Sequence, residues 1–212
     1  LREACTKFNV HLIADEIAVG FGRTGTMFGF EQAKITPDII CLSKGITGGY
    51  MTLSTILTTD DIYDAFYDEY EKLNAFLHSH SYTANPIACS AANATLNLFK
   101  KKNVVENNKK LSLHMKKCFE SLNDHPHVSD VRQKGMVLAI ELVKNKKKKL
   151  AYDWKERRGI KAYLHGLKNN VLMRPLGNVL YFMPPYVITK KEISFVSEIM
   201  KEGVDEATKK SS

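Results

Sequence analysis

The chain contains 212 residues, of which 44% are apolar and 25% are charged, a composition typical of a folded globular protein rather than a disordered one. Its longest apolar runs are shorter than the roughly 18 residues that a membrane-spanning helix requires, so we expect no membrane span. The net charge of +8 is concentrated in residues 100–149, where the lysine-rich run at 144–149 has no interleaved aromatic residues. That run predicts a solvated loop, and we expect no nucleic-acid partner.

The cysteines are scattered along the chain without the C-x-x-C spacing of a zinc site or the density of a disulfide framework. They are Cys5, Cys41, Cys89 and Cys118. We therefore expect free thiols in a reducing cytoplasm and no bound metal. The chain begins without Met and without an apolar leader, so we expect it to be a fragment of a longer cytoplasmic protein.

Short apolar runs predict a sheet near the start of the chain. Runs at 10–14 and 38–42 predict two buried strands joined by a long glycine-bearing loop, and alternating β-branched residues predict a third strand at 52–58. Ligands of a parallel α/β sheet bind beyond the carboxyl ends of its strands. Asp15 and Lys44, which follow the first two runs, are therefore predicted to lie at the same edge.

A lysine and a carboxylate at one sheet edge suit a pyridoxal-phosphate site. The lysine amine can form a Schiff base with the aldehyde of that cofactor. A facing carboxylate keeps the pyridine nitrogen of the ring protonated, which the chemistry of the ring requires. The alternative is a surface lysine near an aspartate that caps a loop, and the pair by itself is compatible with both interpretations.

The next part of the chain predicts two helices separated by a polar loop. The pattern at 60–73 places aromatic residues on one face of a helix, which favours a core or interface role. The loop at 76–85 contains hydroxyls and histidines just before a second helix at 86–101, an arrangement that suits an anion site. Capping of that helix by Asn85, with Pro86 at its first position, explains part of the same pattern without a ligand.

The remainder of the chain mixes helices and strands, as in an α+β domain, and we place the domain boundary near Lys102. The predicted elements are a helix at 104–122, strands at 128–134 and 135–143, a helix at 152–169, strands at 171–174 and 179–183, and a last helix from Thr189. Thr189 and Glu192 form the pattern of a capping box at the start of that helix.

Arg174 is the candidate binding residue in this second part, and it is expected at the end of a strand just before Pro175. A guanidinium at a strand end can hold a substrate carboxylate through two parallel hydrogen bonds. An arginine in a structural ion pair is the alternative.

Several separate motifs occur in one order and spacing: Asp15-Glu16 followed by GFGRTG at 20–25, PDI at 37–39 and SKGITGG at 43–49. Together they resemble the signature of class III aminotransferases, which belong to fold type I of the pyridoxal-phosphate enzymes. The resemblance implies an α/β fold in which residues 1–102 are the C-terminal half of a large, mainly parallel-sheet cofactor domain. Residues 103–212 would then form a small α+β domain.

The same resemblance implies roles for three residues. Asp15 is the partner of the pyridine nitrogen of pyridoxal 5'-phosphate, and Lys44 is the catalytic lysine that forms the Schiff base. Ser81 occupies the position that reaches the cofactor phosphate of the neighbouring subunit in a homodimer. Many relatives have the pattern HGxT there, whereas this chain has HSHS at 78–81.

A second block, RPLG at 174–177 with YFMPPY at 181–186, resembles the biotin-pathway branch of the family, as does MTLS at 51–54. This resemblance implies a ping-pong transamination of 7-keto-8-aminopelargonate, with S-adenosylmethionine or lysine as the amino donor. Arg174 would bind the far carboxylate of the substrate, and Tyr181 and Gly45 would be further substrate-binding residues.

Two rival functions remain open from the sequence. One is another class III aminotransferase that acts on ornithine or an ω-amino acid, and the other is a non-catalytic basic binding module that retains nucleic acid and binds no cofactor. In the family, the turn that cradles the phosphate and the aromatic ring that stacks on the cofactor come from upstream residues. We therefore expect these 212 residues alone to be inactive.

Overall fold

The computed structural model describes residues 1–209, and the chain divides into two compact units, Leu1–Val105 and Glu106–Ser212. Each unit has its own cluster of buried apolar side chains. The assignment of residues 1–102 and 103–212 to the large and small domains of a complete enzyme stays a prediction.

The first unit contains a small sheet with helices around it. Its elements are α1 (Arg2–Lys7), β1 (Ile13–Asp15), β2 (Ile39–Leu42), β3 (Thr55–Thr58), α2 (Asp60–Asp64) and α3 (Pro86–Lys101). Strand β1 pairs in parallel with β2, and β2 pairs antiparallel with β3. A buried cluster of Phe21, Leu42, Ile46 and Ala92 packs the loop after β1 and the turn after β2 against α3.

Asp38 fastens the start of this sheet. Its carboxylate accepts hydrogen bonds from the backbone N–H of Leu12 at 2.6 Å and from the guanidinium of Arg2 at 2.7 Å. These bonds, first that of Leu12 and then that of Arg2, hold the pKa of Asp38 below its usual value. These bonds connect the starts of β1 and β2 to helix α1.

The predicted helix at 60–73 is wrong beyond its first turn. Helix α2 ends at Asp64, and Tyr70–Lys72 forms only a single 3-10 turn. The Asp68 carboxylate accepts hydrogen bonds from the backbone N–H of Glu69 and the side chains of Lys72 and Asn74. Such local bonds compete with a helix, and within residues 1–209 the aromatic face has no core to cover it, so short-range propensity was insufficient.

Helix α3 begins and ends at the predicted residues. The side chain of Asn85 accepts hydrogen bonds from the backbone N–H groups of Ile87 and Ala88 at 3.0 and 3.1 Å, and Pro86 occupies the first helical position. Since proline has no N–H, it fits where the helix leaves N–H groups unpaired. The capping interpretation of this segment is thus confirmed.

The second unit is an antiparallel sheet packed against helices. Its elements are α4 (Val104–Phe119, which begins at the end of the first unit), β4 (Val128–Lys134), β5 (Val137–Asn145), β6 (Leu150–Ala151), α5 (Arg158–Lys168), β7 (Arg174–Leu176), β8 (Val179–Phe182) and α6 (Lys190–Thr208). The strand order is β4-β5-β8-β7, with β6 on β5. Fully buried side chains such as Met115, Phe119, Ile140, Leu180 and Met200 fill the core.

Several elements of this unit differ from the sequence expectation: helix α4 ends at Phe119 rather than at residue 122, and strand β6 was not predicted. Helix α5 begins at Arg158 rather than near residue 152, because Arg157 adopts a left-handed backbone (φ 48°) that separates it from the turn Trp154–Glu156. Arg174 begins strand β7 instead of ending a strand. The capping box of α6 forms as predicted between Thr189 and Glu192.

We expect Asp38→Asn to destabilise the fold most at neutral pH. The pKa of Asp38 is lowered on folding, so its charged form adds stability above the ordinary carboxyl value of 3.8, and this is lost as the pH falls further through the folded value. The difference in unfolding midpoint between wild type and Asp38→Asn should therefore shrink in acid. Asp61→Asn, an exposed control in α2, should show no such trend, and a difference at Asp38 that grew in acid would contradict the assignment.

Candidate active site

Asp15 and Lys44 lie at the same end of two neighbouring parallel strands. Asp15 is the last residue of β1 and pairs in register with Cys41 of β2. The next backbone N–H, that of Glu16, donates to the carbonyl of Cys41 at 3.0 Å. Lys44 follows β2 at the start of the 3-10 turn Lys44–Thr47, and both charged side chains are exposed. The register thus brings an amine and a carboxylate to the carboxyl edge of this sheet.

The backbone of Lys44 is strained. Its φ of +45° lies in the left-handed region, which residues other than glycine rarely adopt. The turn is held on both sides, because Ser43 Oγ donates to the carbonyl of Leu53 at 2.7 Å and Thr47 Oγ1 donates to that of Met51 at 2.6 Å. Such strain persists only where the surroundings fix the backbone, and it is common at functional sites.

Gly45 is required by a close contact with Phe21. A Cβ atom at position 45 would lie 2.9 Å from Cδ2 of the Phe21 ring. Phe21 is 3% exposed and has a left-handed backbone (φ 57°), and its ring also contacts Phe28 and Phe99 at centroid distances of 5.6 and 6.2 Å. The ring therefore supports the turn directly after Lys44.

Glu16 is a buried carboxylate that the sequence reasoning missed. It is 3% exposed, and its two oxygens accept hydrogen bonds from the backbone N–H groups of Gly29 and Phe30, each at 2.9 Å. Its position directly after Asp15 was the available signal, since a second charge at the end of an apolar run needs a partner. The neighbouring Asp15 accepts from the N–H of Ile17 at 3.0 Å.

Ser81 lies in an exposed turn before α3. This turn is shaped by its neighbours: the N–H of His80 donates to Thr83 Oγ1 and the N–H of Tyr82 donates to His80 Nδ1, both at 3.1 Å. Within residues 1–209, no hydrogen bond joins Ser81 to Asp15 or Lys44. Its role at a cofactor phosphate stays a prediction.

Arg174 and Tyr181 are brought together in the second unit. They are cross-strand partners in the pairing of β7 with β8, and the Arg174 guanidinium lies 5.8 Å from the centre of the Tyr181 ring. Arg174 is exposed, and among the described residues no carboxylate lies within 4.0 Å of it. Within the part of the chain that the structure describes, Arg174 therefore has no carboxylate with which to form a structural ion pair.

The family of the chain follows from comparison with known proteins. Residues 1–204 match the family model described as aminotransferase class-III. The chain belongs to this family, and the resemblance of its motifs is confirmed. The predicted α/β fold class is confirmed as well, because solved transaminases superpose on nearly the whole chain.

Several relatives within this family carry the name of one particular aminotransferase. The chain is 47% identical over 209 residues to the adenosylmethionine-8-amino-7-oxononanoate aminotransferase of Helicobacter pylori, covering 97% of this chain and 46% of that protein. The crystal structure of the protein of that name from Methanocaldococcus jannaschii is 42% identical, with a TM-score of 0.92 over 96% of this chain and 48% of that one. The chain thus spans about half the length of these relatives.

A more distant structure carries a ligand in its name. The omega transaminase from Pseudomonas jessenii in complex with PMP is 28% identical, with a TM-score of 0.92 over 98% of this chain and 46% of that chain.

Within the described residues of the present chain, no helix is long and apolar enough to cross a membrane. The same residues contain no group of three His, Cys, Asp or Glu side chains that could hold a metal ion.

We expect Gly45→Ala to destabilise the protein by about 1–3 kcal/mol, because the added methyl overpacks the contact with Phe21. Denaturant unfolding of the complete polypeptide that carries this sequence measures the loss. In a Phe21→Ala background the cost of Gly45→Ala should fall below half, since the atoms that the methyl meets are gone. An equal cost in both backgrounds would assign the effect to the backbone instead.

Proposed function

We propose that the complete polypeptide carrying this chain is a pyridoxal-phosphate aminotransferase of biotin biosynthesis that converts 7-keto-8-aminopelargonate to 7,8-diaminopelargonate. The observation that carries the proposal is the placement of Asp15 and Lys44 at one sheet edge, in a chain whose relatives at 37–47% identity carry the name of that aminotransferase. Family membership supports the proposed type of reaction, and the names of the relatives support the proposed substrate.

The residues at the sheet edge fit this cofactor chemically. Lys44 offers an exposed primary amine for its aldehyde, and Asp15 offers an exposed carboxylate for its ring nitrogen. A Cβ at Gly49 would meet nothing within 4 Å, so the glycine turn that follows Lys44 in the chain leaves open space at that position. When bound, pyridoxal phosphate supplies an electron sink that makes a proton on the substrate's amine-bearing carbon removable.

Lys44 and Asp15 then have separate tasks. Asp15 holds a proton on the ring nitrogen by its negative charge, and its carboxylate is oriented by the N–H of Ile17. The Nζ of Lys44 takes a proton from the amine-bearing carbon of the donor and later returns one to the carbon that was the ketone. Both steps require the lysine to be held near the reacting carbon, which the braced turn at 43–47 favours.

Arg174 and Tyr181 are proposed to bind the keto substrate. The guanidinium pairs with the carboxylate at the far end of the chain of 7-keto-8-aminopelargonate by two hydrogen bonds, and the Tyr181 ring holds the arginine from one side. Gly45 is proposed as a further substrate-binding residue through its backbone next to Lys44, since Phe21 fills the space on its side-chain side. The amino donor is S-adenosylmethionine or lysine, and the names of the relatives favour S-adenosylmethionine.

Ser81 is proposed to contact the phosphate of a cofactor bound by a neighbouring subunit, which makes the enzyme a homodimer with shared sites. The support is its place in an exposed hydroxyl-rich turn directly before α3.

A different class III activity is the second candidate. Solved omega transaminases superpose on this chain with TM-scores near 0.9, although at 27–28% identity. The higher identity to the biotin-pathway relatives favours the first proposal. A non-catalytic basic binding module is disfavoured by family membership, and the lysine run at 144–149 forms the end of β5 and the turn that leads to β6.

The proposal predicts that Lys44→Ala abolishes the visible absorption of retained cofactor and lowers transamination at least about 100-fold, because the attached amine and the proton carrier are both lost. Absorption after dialysis, and turnover with each donor in turn, measure this. Lys34→Ala is a matched control, since Lys34 is also an exposed lysine with a left-handed backbone (φ 53°). Loss of absorption in the control, or none in Lys44→Ala, would refute the assignment.

We expect Arg174→Lys to raise KM for the keto acid roughly 10- to 100-fold with a smaller change in kcat, because a lysine keeps the charge and loses the paired hydrogen bonds. Steady-state kinetics at fixed donor measure it. Arg132→Lys on β4 is the control, because Arg132 is also an exposed strand arginine but pairs with Asp130 and Glu141. An unchanged KM for Arg174→Lys would remove Arg174 from the substrate site.

A further inference from the structure

Glu16 is the most buried charged side chain of the first unit, and it is held by backbone groups. Each of its carboxylate oxygens accepts one N–H at 2.9 Å, from Gly29 and Phe30, at the start of the 3-10 helix Gly29–Ala33. Within residues 1–209 it makes no salt bridge. The N-terminal N–H groups of a helix are unpaired and carry partial positive charge, so they replace the missing cation.

The loop is shaped around this carboxylate by two glycines. A Cβ at Gly20 would lie 2.8 Å from the carbonyl oxygen of Glu16, and a Cβ at Gly29 would lie 3.2 Å from its Oε1. Gly20 N–H also donates to that carbonyl at 2.9 Å. Residues 16–30 therefore close tightly on Glu16 at both ends.

Aromatic contacts connect this closure to the lysine. Phe28 stacks on Phe30 with centroids 5.7 Å apart, and Phe21 meets Phe28 edge to face at 5.6 Å. The Phe21 ring in turn covers Gly45, the residue after Lys44. Since Lys44 has a left-handed backbone, whatever holds Gly45 in place also holds the direction in which the lysine side chain leaves the turn.

We propose that Glu16 is a positioning residue for Lys44: its carboxylate anchors the loop 16–30, whose Phe21 ring fixes the turn that carries the amine. This inference rests on the proposed function for the role of Lys44. The mechanical link from Glu16 to the turn at 43–49 is independent of it, which allows the two to be tested apart.

Glu16→Gln and Glu31→Gln form a matched pair of variants in the complete polypeptide. Glutamine keeps the shape of Glu16 but replaces one acceptor oxygen by an N–H donor, so one of the two backbone N–H groups loses its partner. Glu31 also accepts a backbone N–H of this loop, that of Phe28 at 3.2 Å, but it is exposed, so water compensates for its loss.

Hydrogen exchange read by mass spectrometry on the cofactor-free protein is the first measurement. Glu16→Gln should speed exchange about tenfold in residues 17–30 and 43–49 but not in α3, and Glu31→Gln should leave 43–49 unchanged. Exchange equal to that of Glu31→Gln would overturn the proposal. A uniform rise throughout 1–105 would also overturn it, since Glu16 would then only stabilise the unit.

Kinetics of the loaded enzyme are the second measurement. A misplaced amine should lower kcat roughly 10- to 100-fold while KM changes less than about threefold, and the visible circular dichroism of the retained cofactor should weaken. A fall confined to KM would overturn the positioning role. If wild type retains no cofactor and shows no transamination, the proposed function fails, while the exchange result still decides the link to 43–49.

Phe21→Leu decides the matter if Glu16→Gln does not fold. Trimming the ring should speed exchange at 43–49 while the N–H groups of Gly29 and Phe30 stay protected by Glu16. No change at 43–49 in Phe21→Leu would show that the ring does not hold the turn, and the proposal would fall.

Discussion

The parallel register of β1 with β2 is the constraint on which the candidate site depends. Because Asp15 pairs with Cys41, the carboxylate and the turn that starts at Lys44 emerge at the same edge. A shift of one residue would turn Asp15 to the opposite face of the sheet. Asp38 forms an ion pair with Arg2 and accepts a hydrogen bond from the N–H of Leu12, and these bonds fix where the two strands begin. They therefore stabilise the register that sets Asp15 and Lys44 at the opposite, carboxyl ends of the strands.

The second unit applies the same logic with antiparallel strands. Pairing of β7 with β8 sets Arg174 against Tyr181, so a tight hairpin brings together a guanidinium and a phenol ring from its two successive strands. In both units a candidate binding group is exposed while the adjoining core is closed. The functional proposals rely on short pieces of backbone pairing that a buried core makes rigid.

Much of this could be predicted because the signals were local. Each of these signals lies within a few neighbouring residues: the Asn85 cap with Pro86, the Thr189 capping box, and the apolar runs before Asp15 and Lys44. The segment at 60–73 could not be predicted in that way, because its aromatic pattern requires a packing partner and the local bonds of Asp68 prevailed. Glu16 was missed for the opposite reason, since its partners lie 13 and 14 residues away along a loop without periodicity.

The left-handed backbone at Lys44 sets two demands against each other at one position. Glycine adopts this conformation without steric cost, whereas the proposed transfer of an amino group needs a primary amine at this position. Random substitution under selection for heat resistance alone would therefore tend to erase the amine and keep the scaffold. A substitution that raises the stability of the fold at this position would remove the amine that the proposed reaction needs. Efforts to raise thermal stability should therefore leave residue 44 unchanged.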